Sequence, residues 1–359
     1  MALKQRVTIS DIAQRSGASR TTVSLVLRDR PGISEETRDR VLTAAQELGY
    51  ERQPVVQRRH QPDVKTVAIL FRARTRGFDD ISLGVNPFYS WVLTGMESAA
   101  RMRQMNLVFG TLAVDDENRI IDLPAHLLEQ DLDGIAIIGA FEEQAVATLV
   151  GQRNAPVVVV DGPAVQQRFD VVASDNIGGA RRAVQHLAMR GHTRIGLVTQ
   201  GPPANPNFRQ REQGYIEGMQ EIGCAPVIGR LVYYEQADGA LHDILKQDPH
   251  ITALVVVNDS AAVGVVKVVR ELGFEVPQTL SVIGFDDTDH AVSIEPELTT
   301  MRVDKIGMGR HAIFQLDYRM RWPEGAQVTT VLSPKLVVRD SVAAPAARDE
   351  RRTSAPGGD

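Results

Sequence analysis

Apolar residues are spaced in two different ways along this chain. Through positions 1–50 they recur at intervals of three and four: Ile9, Ile12 and Ala13; Val23, Val26 and Leu27; Val41, Leu42, Ala45 and Leu48. That period belongs to amphipathic helices and predicts three of them. Thr8 opens the first, which runs to Arg15. Ser16-Gly17-Ala18 makes a tight turn in which glycine is free to take positive φ. Ser19 caps the second helix, which runs to about Leu27. Pro31-Gly32 interrupts the chain, and Ser34 caps a longer third helix. Glu35 and Glu36 face the positive end of its dipole, and Gly49 ends it.

From residue 66 the apolar residues close up into short runs: Val67–Phe71, Leu107–Thr111, Gly134–Ile138, Val157–Val160, Arg194–Thr199, Ala253–Val257 and Ser281–Gly284. Helical stretches such as Trp91–Met102, Gly178–Arg190, Glu212–Ile222 and Ala261–Leu272 separate them. Unbroken Val/Ile/Leu strands alternating with helices predict an α/β fold with parallel sheets covered on both faces. The units are too many for one compact sheet, so two lobes are expected.

These patterns divide the chain into a helical headpiece at 1–50, a linker at 51–65 bracketed by Pro54 and Pro62, and a body at 66–340. The first lobe is placed at about 66–173 plus 302–326, and the second at about 174–301 plus 327–340. Residues 341–359, rich in Ala, Pro, Arg and Asp, read as a disordered tail.

Charge sharpens the division. The chain has 359 residues and a net charge of −5, yet residues 1–60 carry 11 Lys and Arg against 7 Asp and Glu, and the remainder 29 against 38. A basic module on an acidic body suits a nucleic-acid reader attached to something else. Cys224 is the single cysteine, so no intrachain disulfide can form, which fits a reducing compartment. Lys4, Arg6, Asp11 and Arg15 interrupt any early apolar segment, and no run of eighteen apolar residues occurs. No secretory signal, no membrane partner and a cytoplasmic location are therefore expected. Enzyme signatures are missing: no G-x-G-x-x-G after a strand, no Walker lysine, no G-x-S-x-G and no H-E-x-x-H. Neither cofactor nor metal is expected.

Two short helices joined by a glycine turn, with a third supporting them, match the geometry of a helix–turn–helix that places its second helix in a major groove; the alternative is an ordinary three-helix protein-binding module. Val23, Val26 and Leu27 would face the core, leaving Arg20, Thr21, Ser24, Leu25 and Arg28 on the other side. In the body, polar residues follow strand ends, where α/β sheets bind ligands: Phe141 and Glu142, Asn258 and Asp259, Asp286 and Asp287, with Arg211 after the 201–207 loop. Asn258 and Asp259 have a second reading as caps of the following helix. His192, at a helix–strand turn, reads as structural.

The motifs Thr8-Ile9-Ser10-Asp11-Ile12-Ala13, Gly17-Ala18-Ser19, Thr22-Val23-Ser24 and Ile33-Ser34-Glu35-Glu36-Thr37-Arg38 through Leu48-Gly49-Tyr50 resemble the headpiece of the lactose-repressor (LacI/GalR) family. Asn86-Pro87-Phe88-Tyr89, Ser174-Asp175-Asn176, Arg190-Gly191-His192, Gly214-Tyr215, Asn258-Asp259, Gly284-Phe285-Asp286-Asp287 and Leu298-Thr299-Thr300 continue the resemblance in the family's order over roughly 5–340. It implies a homodimeric regulator, most simply a repressor, that binds a near-palindromic double-stranded operator under the control of a small effector such as a sugar. It also implies a bacterial, nucleoid-associated protein. By this resemblance Thr8, Ser19, Arg20, Thr21, Thr22, Ser24, Leu25, Arg28, Arg58 and Arg59 touch DNA. Phe88, Phe141, Glu142, Arg211, Tyr234, Asn258 and Asp286 line the effector site in a type I, periplasmic-binding-protein-like body. The competing reading is a soluble sugar-binding or signalling module whose headpiece no longer reads DNA.

Several positions depart from the family pattern. Leu25 stands where an arginine is common; leucine cannot read guanine but can pack on a thymine methyl, so an A·T pair is expected there. Arg59 occupies the place of a minor-groove leucine wedge, which predicts weak DNA bending. Val303 and Lys305 replace a ligand-facing glutamine and an aromatic, and Lys305 leaves room for an acidic or phosphorylated ligand.

Overall fold

The structure is a computed structural model that describes residues 8–27, 33–48, 50, 64–74, 87–114, 120–122, 131–139, 155–162, 169–200, 205–231 and 237–345. The chain divides into two compact units, with the boundary between Asp63 and Val64.

In the N-terminal unit the three expected helices form: α1 (Ile9–Ser16), α2 (Arg20–Leu27) and α3 (Glu35–Glu47). Thr8 and Asp11 cap α1 reciprocally, and Gly17 ends it in the left-handed region at φ 68°. Ile12, Val23, Val26, Leu27, Val41, Ala44 and Ala45 make a small core. Leu42 is a correction. It was expected on the apolar stripe, but it is 41% exposed and Ala44 takes the inward place. Positions 41, 44, 45 and 48 share one helix face; position 42 lies about 100° away from 41.

In the second unit, every strand expected from an apolar run is present. A seven-stranded sheet has the order β12-β6-β5-β4-β1-β2-β3. Its strands are β1 (Thr66–Arg74), β2 (Asn106–Val114), β3 (Ile120–Asp122), β4 (Gly134–Ile138), β5 (Val157–Val160), β6 (Asp170–Ser174) and β12 (Thr329–Leu332). A six-stranded sheet has the order β13-β11-β10-β9-β7-β8. It contains β7 (Ile195–Gln200), β8 (Val227–Leu231), β9 (Ala253–Val256), β10 (Ser281–Asp286), β11 (Thr299–Arg302) and β13 (Lys335–Val337). Pairing is parallel except at β2–β3 and β11–β13. Each sheet is the centre of one lobe.

The helices of this unit are α4 (Pro87–Met102), α5 (Asn176–Met189), α6 (Pro206–Glu221), α7 (Asp238–Gln247), α8 (Asp259–Glu271), α9 (His290–Ser293) and α10 (Lys305–Arg321). α4 and α10 pack backbone against backbone on the first lobe. A Cβ on Gly95 would strike the carbonyl of Ile306, and one on Gly309 the carbonyl of Val92.

Two boundaries change. Residues 327–340 were assigned to the second lobe, but β12 pairs with β6, so the first lobe keeps the chain through Leu332. The tail was expected to be disordered from 341, yet residues 341–345 are packed. Ser341 is fully buried, its hydroxyl donates to Val282 O at 2.6 Å, and Val282 N donates to Ser341 O at 2.8 Å. His192, structural as expected, lies 2.9 Å from Thr252 Oγ1 and 2.8 Å from Ala343 O through its two ring nitrogens. Serine and an uncharged imidazole give this segment polar partners that composition alone does not reveal. Residues 346–359 lie outside the described residues.

Candidate functional site

On α2 the helix period sorts the side chains by face. Val23, Val26 and Leu27 are buried, while Arg20 and Thr21 are exposed. Ser19 Oγ accepts the Thr22 amide at 3.0 Å and lies 2.8 Å from Thr22 Oγ1, which fixes the start of the helix. Thr8 is spent in the α1 cap but remains exposed. Ser24 and Leu25 are half-buried. Leu25 is not among the side chains packed on the headpiece core, which takes Ala13, Ala18, Ile33, Leu48 and Tyr50 around its rim. Arg28, Arg58 and Arg59 lie outside the described residues.

In the body, Arg211 and Asp286 come together as a buried pair. Arg211 sits in the second turn of α6, which Asn205 caps and Pro206 opens. Its guanidinium lies 3.8 Å from the centre of the Phe285 ring and 5.7 Å from that of Phe208. It donates to Asn176 Oδ1 at 2.9 Å, Val257 O at 2.8 Å and Asp286 Oδ1 at 2.8 Å. These acceptors come from the start of α5 and from the carboxyl ends of β9 and β10. One side chain therefore ties together the binding edge of the second sheet.

The first lobe meets this edge through residues not singled out in the sequence. Asp161 follows β5 and is buried. Its carboxylate accepts from Tyr89 Oη at 3.0 Å, on its own lobe, and from Asn207 Nδ2 at 3.0 Å, on the other. Asn207 Nδ2 also reaches Asp161 O at 3.0 Å. Asn176 Nδ2 donates to Gln210 Oε1 at 3.1 Å and Asn207 Oδ1 at 3.3 Å. Phe88 is buried here beside Tyr89, ring edge to ring face at 5.3 Å. The signal that could have flagged Asp161 is an acid directly after a four-valine strand.

Lys305, the first residue of α10, is buried and donates to Asp286 O at 2.6 Å and Asp287 O at 2.8 Å. Its ammonium also lies 6.0 Å from the Phe88 ring centre. Burial lowers its pKa, against the pull of Asp286, Asp287 and Asp259.

Burial dominates the acids as well. It pushes Asp161 up to about 7; Arg211 opposes this and Asp286 adds to it. It pushes Asp259 up to about 7, again with Asp286 adding to it. Asp286 is raised too, burial outweighing Arg211. Asp287 goes the other way: burial raises it, but hydrogen bonds from Arg302 and Arg339 hold it below the ordinary value. Asp161, Asp286 and Asp287 all have positive φ, at 60°, 104° and 52°. Side chains rarely adopt this region, and such strain gathers at sites the surroundings hold rigid.

Asn258 follows its second reading as a cap: its Oδ1 accepts Ala261 N at 2.8 Å at the start of α8, and its amide nitrogen remains to donate. Asp259 does not cap; it accepts from Thr300 Oγ1 at 2.6 Å and Thr288 N at 2.8 Å. Phe141, Glu142 and Tyr234 lie outside the described residues. Among the described residues no cluster of His, Cys, Asp and Glu fits a metal ion, and no helix is long and apolar enough to cross a membrane.

Comparison with known proteins agrees with both halves of the chain. Residues 8–53 match the profile of bacterial regulatory proteins, lacI family, and residues 184–342 that of a periplasmic binding protein-like domain. The chain is similar to the HTH-type transcriptional regulator reg1 of Streptomyces lividans, with 30% identity over 93% of this chain and 96% of the relative. The ribose operon repressor of Haemophilus influenzae is 28% identical over 93% and 98%. Among solved structures, the transcriptional regulator CelR–cellobiose complex superposes with a TM-score of 0.63 at 26% identity, covering 94% of this chain and all of the other. A helix–turn–helix whose second helix keeps a polar face outward, joined to a two-lobed α/β body of this ancestry, makes the chain a DNA-binding transcriptional regulator of the LacI family.

Proposed function

We propose that the protein is a repressor, homodimeric on a near-palindromic operator, and that a small hydroxyl-rich effector bound between the lobes sets its affinity for DNA. The observation that carries this reading is the Arg211 guanidinium, stacked on Phe285 and paired with Asp286 where β9 and β10 end. A flat cation, carboxylates and amides around aromatic faces suit a ligand with many hydroxyls. Ribose and cellobiose, named with the relatives, are the first compounds to try, followed by nucleosides. Asp286, Arg211, Asn258 through its amide nitrogen, and Phe88 would contact the ligand; Asp161, Asn207 and Tyr89 would join the lobes around it. Arg20, Thr21, Ser24 and Leu25 would read bases while Ser19, Thr22 and Thr8 contact phosphates. On this reading it acts in the bacterial cytoplasm as a regulator with no catalytic role.

A thermal-shift screen of sugars and nucleosides tests the reading. A true effector at a hundred times its Kd raises stability by about 2.7 kcal/mol. Arg211→Ala is expected to abolish that rise, and an undiminished rise in the variant would remove the effector from this cleft.

A further inference from the structure

One dipeptide at the end of β10 gathers cations from both lobes. The Asp286 carboxylate pairs with Arg211, and the Asp287 carboxylate with Arg302 and Arg339. Those three arginines belong to the second lobe. The fourth cation is Lys305, at the start of the first-lobe helix α10, and it takes the main chain instead. Its ammonium donates to Asp286 O at 2.6 Å, Asp287 O at 2.8 Å and Val303 O at 3.5 Å. An ammonium has three N–H groups, and three carbonyls surround this one. Asp286 is buried and Asp287 half-buried, so their carbonyls need partners from the protein. Both residues have positive φ, at 104° and 52°, and both carbonyls converge on one point. Two dipoles aimed at one point repel each other, and a cation placed there turns that repulsion into attraction. An uncharged side chain of the same length cannot. The turn has two further ties: Thr288 N donates to Asp259 Oδ2 at 2.8 Å, and Val303 N to Asp286 O at 3.4 Å.

We infer that Lys305 is a positioning residue whose charge fixes the Asp286–Asp287 turn, aims the Asp286 carboxylate at Arg211 and fastens that turn to the start of α10. Its bearing on regulation rests on reading the cleft as the effector site. A ligand that moves Asp286 then moves the first turn of α10, because two short charge-assisted hydrogen bonds join them. Lys305, which in sequence left room for an acidic ligand, is in the structure a strut between the lobes.

The test compares Lys305→Met, which keeps the length without the charge, with Lys305→Ala, which leaves room for the missing n-propylammonium. Hydrogen exchange is followed at the amides of Thr288 and Val303 in the full chain. Both variants are expected to exchange there about tenfold faster than the unaltered protein, as the loss of a charge-assisted hydrogen bond implies, with exchange in β1 and β4 unchanged. Added n-propylammonium is expected to restore slow exchange in Lys305→Ala saturably, whereas 1-propanol and sodium at the same concentrations do not. Unaltered exchange at both amides in Lys305→Met would overturn the inference. So would a Lys305→Ala that answers 1-propanol as well as the amine, or answers neither, because bulk rather than charge would then be at work. Where Lys305→Ala does not fold, Lys305→Met decides; a Lys305→Met that does not fold also overturns the inference, since the charge would then support the whole body rather than this turn. No effector enters these measurements. The effector-cleft reading fails separately, if Arg211→Ala leaves undiminished the Tm rise that a bound sugar gives.

Discussion

Asp161 and Asp259 are buried acids held up to about 7, and that makes the body's stability depend on pH. An acid whose folded pKa exceeds its unfolded value binds its proton more tightly in the folded state. The native chain therefore holds more protons than the unfolded one between about pH 4 and 7, and stability falls as pH rises through that window. Each group contributes a slope of up to about 1.4 kcal/mol per pH unit. Asp161→Asn keeps an acceptor for Tyr89 and carries no charge to bury. Denaturant melts at several pH values are expected to show a shallower slope for this variant and a gain over the unaltered protein above pH 7. A steeper slope would show that Asp161 ionises easily in the fold. Leu25 gives the second test at this scale. It is half-buried but outside the headpiece core, so its side chain remains available to a groove. Binding-site selection is expected to return A·T opposite it, and Leu25→Arg to shift that position to G·C by about 1–3 kcal/mol of discrimination. A strong G preference in the unaltered protein would refute the contact.

At the scale of elements, strands that are apolar throughout were visible in sequence because parallel strands are buried on both faces. β3, β6, β8 and β11–β13 were not singled out, for different reasons. β12 lies at a sheet edge with alternate residues exposed, and β13 is only three residues long. α10 was missed because its buried face carries Lys305, Gln315, Asp317 and Arg319. The charged groups among them are tolerable inside because they are paired: Arg319 forms a fork with Asp170 at 2.9 and 2.7 Å, and Asp170 also accepts Val328 N at 2.8 Å. In the candidate site, Arg211 and Asp286 were legible from their places after strands. Asp161, Asn207 and Tyr89 were not, because a contact between lobes leaves no trace in local spacing. The packed segment 341–345 was hidden in the same way. Ending the chain after Asp340 removes the partners of His192 Nε2 and of Ser281, and exposes the edge Ser341 covers. Buried polar groups left unpaired cost about 1–3 kcal/mol each. The truncated chain is expected to melt several degrees lower.

For the whole molecule, the question is how a ligand in the cleft can influence the chain's entry into the body. α4 and α10 both begin at the cleft, with Phe88, Tyr89 and Lys305, and their backbones meet where Gly95 faces Ile306 and Gly309 faces Val92. Twelve residues after Lys305, about 18 Å along the helix, comes Asp317. Its buried carboxylate lies 3.3 Å from Lys65 Nζ, 3.3 Å from Arg103 and 3.0 Å from Arg321. Lys65 is the second residue of the body and directly precedes β1, and Arg103 directly follows α4. Burial raises the Asp317 pKa, but its basic partners bring it below the ordinary value, so the carboxylate is ionised when it holds them. A displacement of either helix at the cleft is therefore expected to be felt at Lys65, just before β1, through this ion cluster. A ligand can shift DNA affinity only through a difference between two states, and this cluster is expected to carry part of that difference to the start of the body. Asp317→Asn keeps the shape and weakens the charges. It is expected to leave effector affinity in the isolated cleft unchanged while reducing the effector's influence on operator binding by about 0.5–2 kcal/mol. Operator titrations with and without the effector measure this difference. An unaltered difference would mean that the signal leaves the cleft by another route, and a fall in effector affinity itself would mean that Asp317 acts only by supporting the fold.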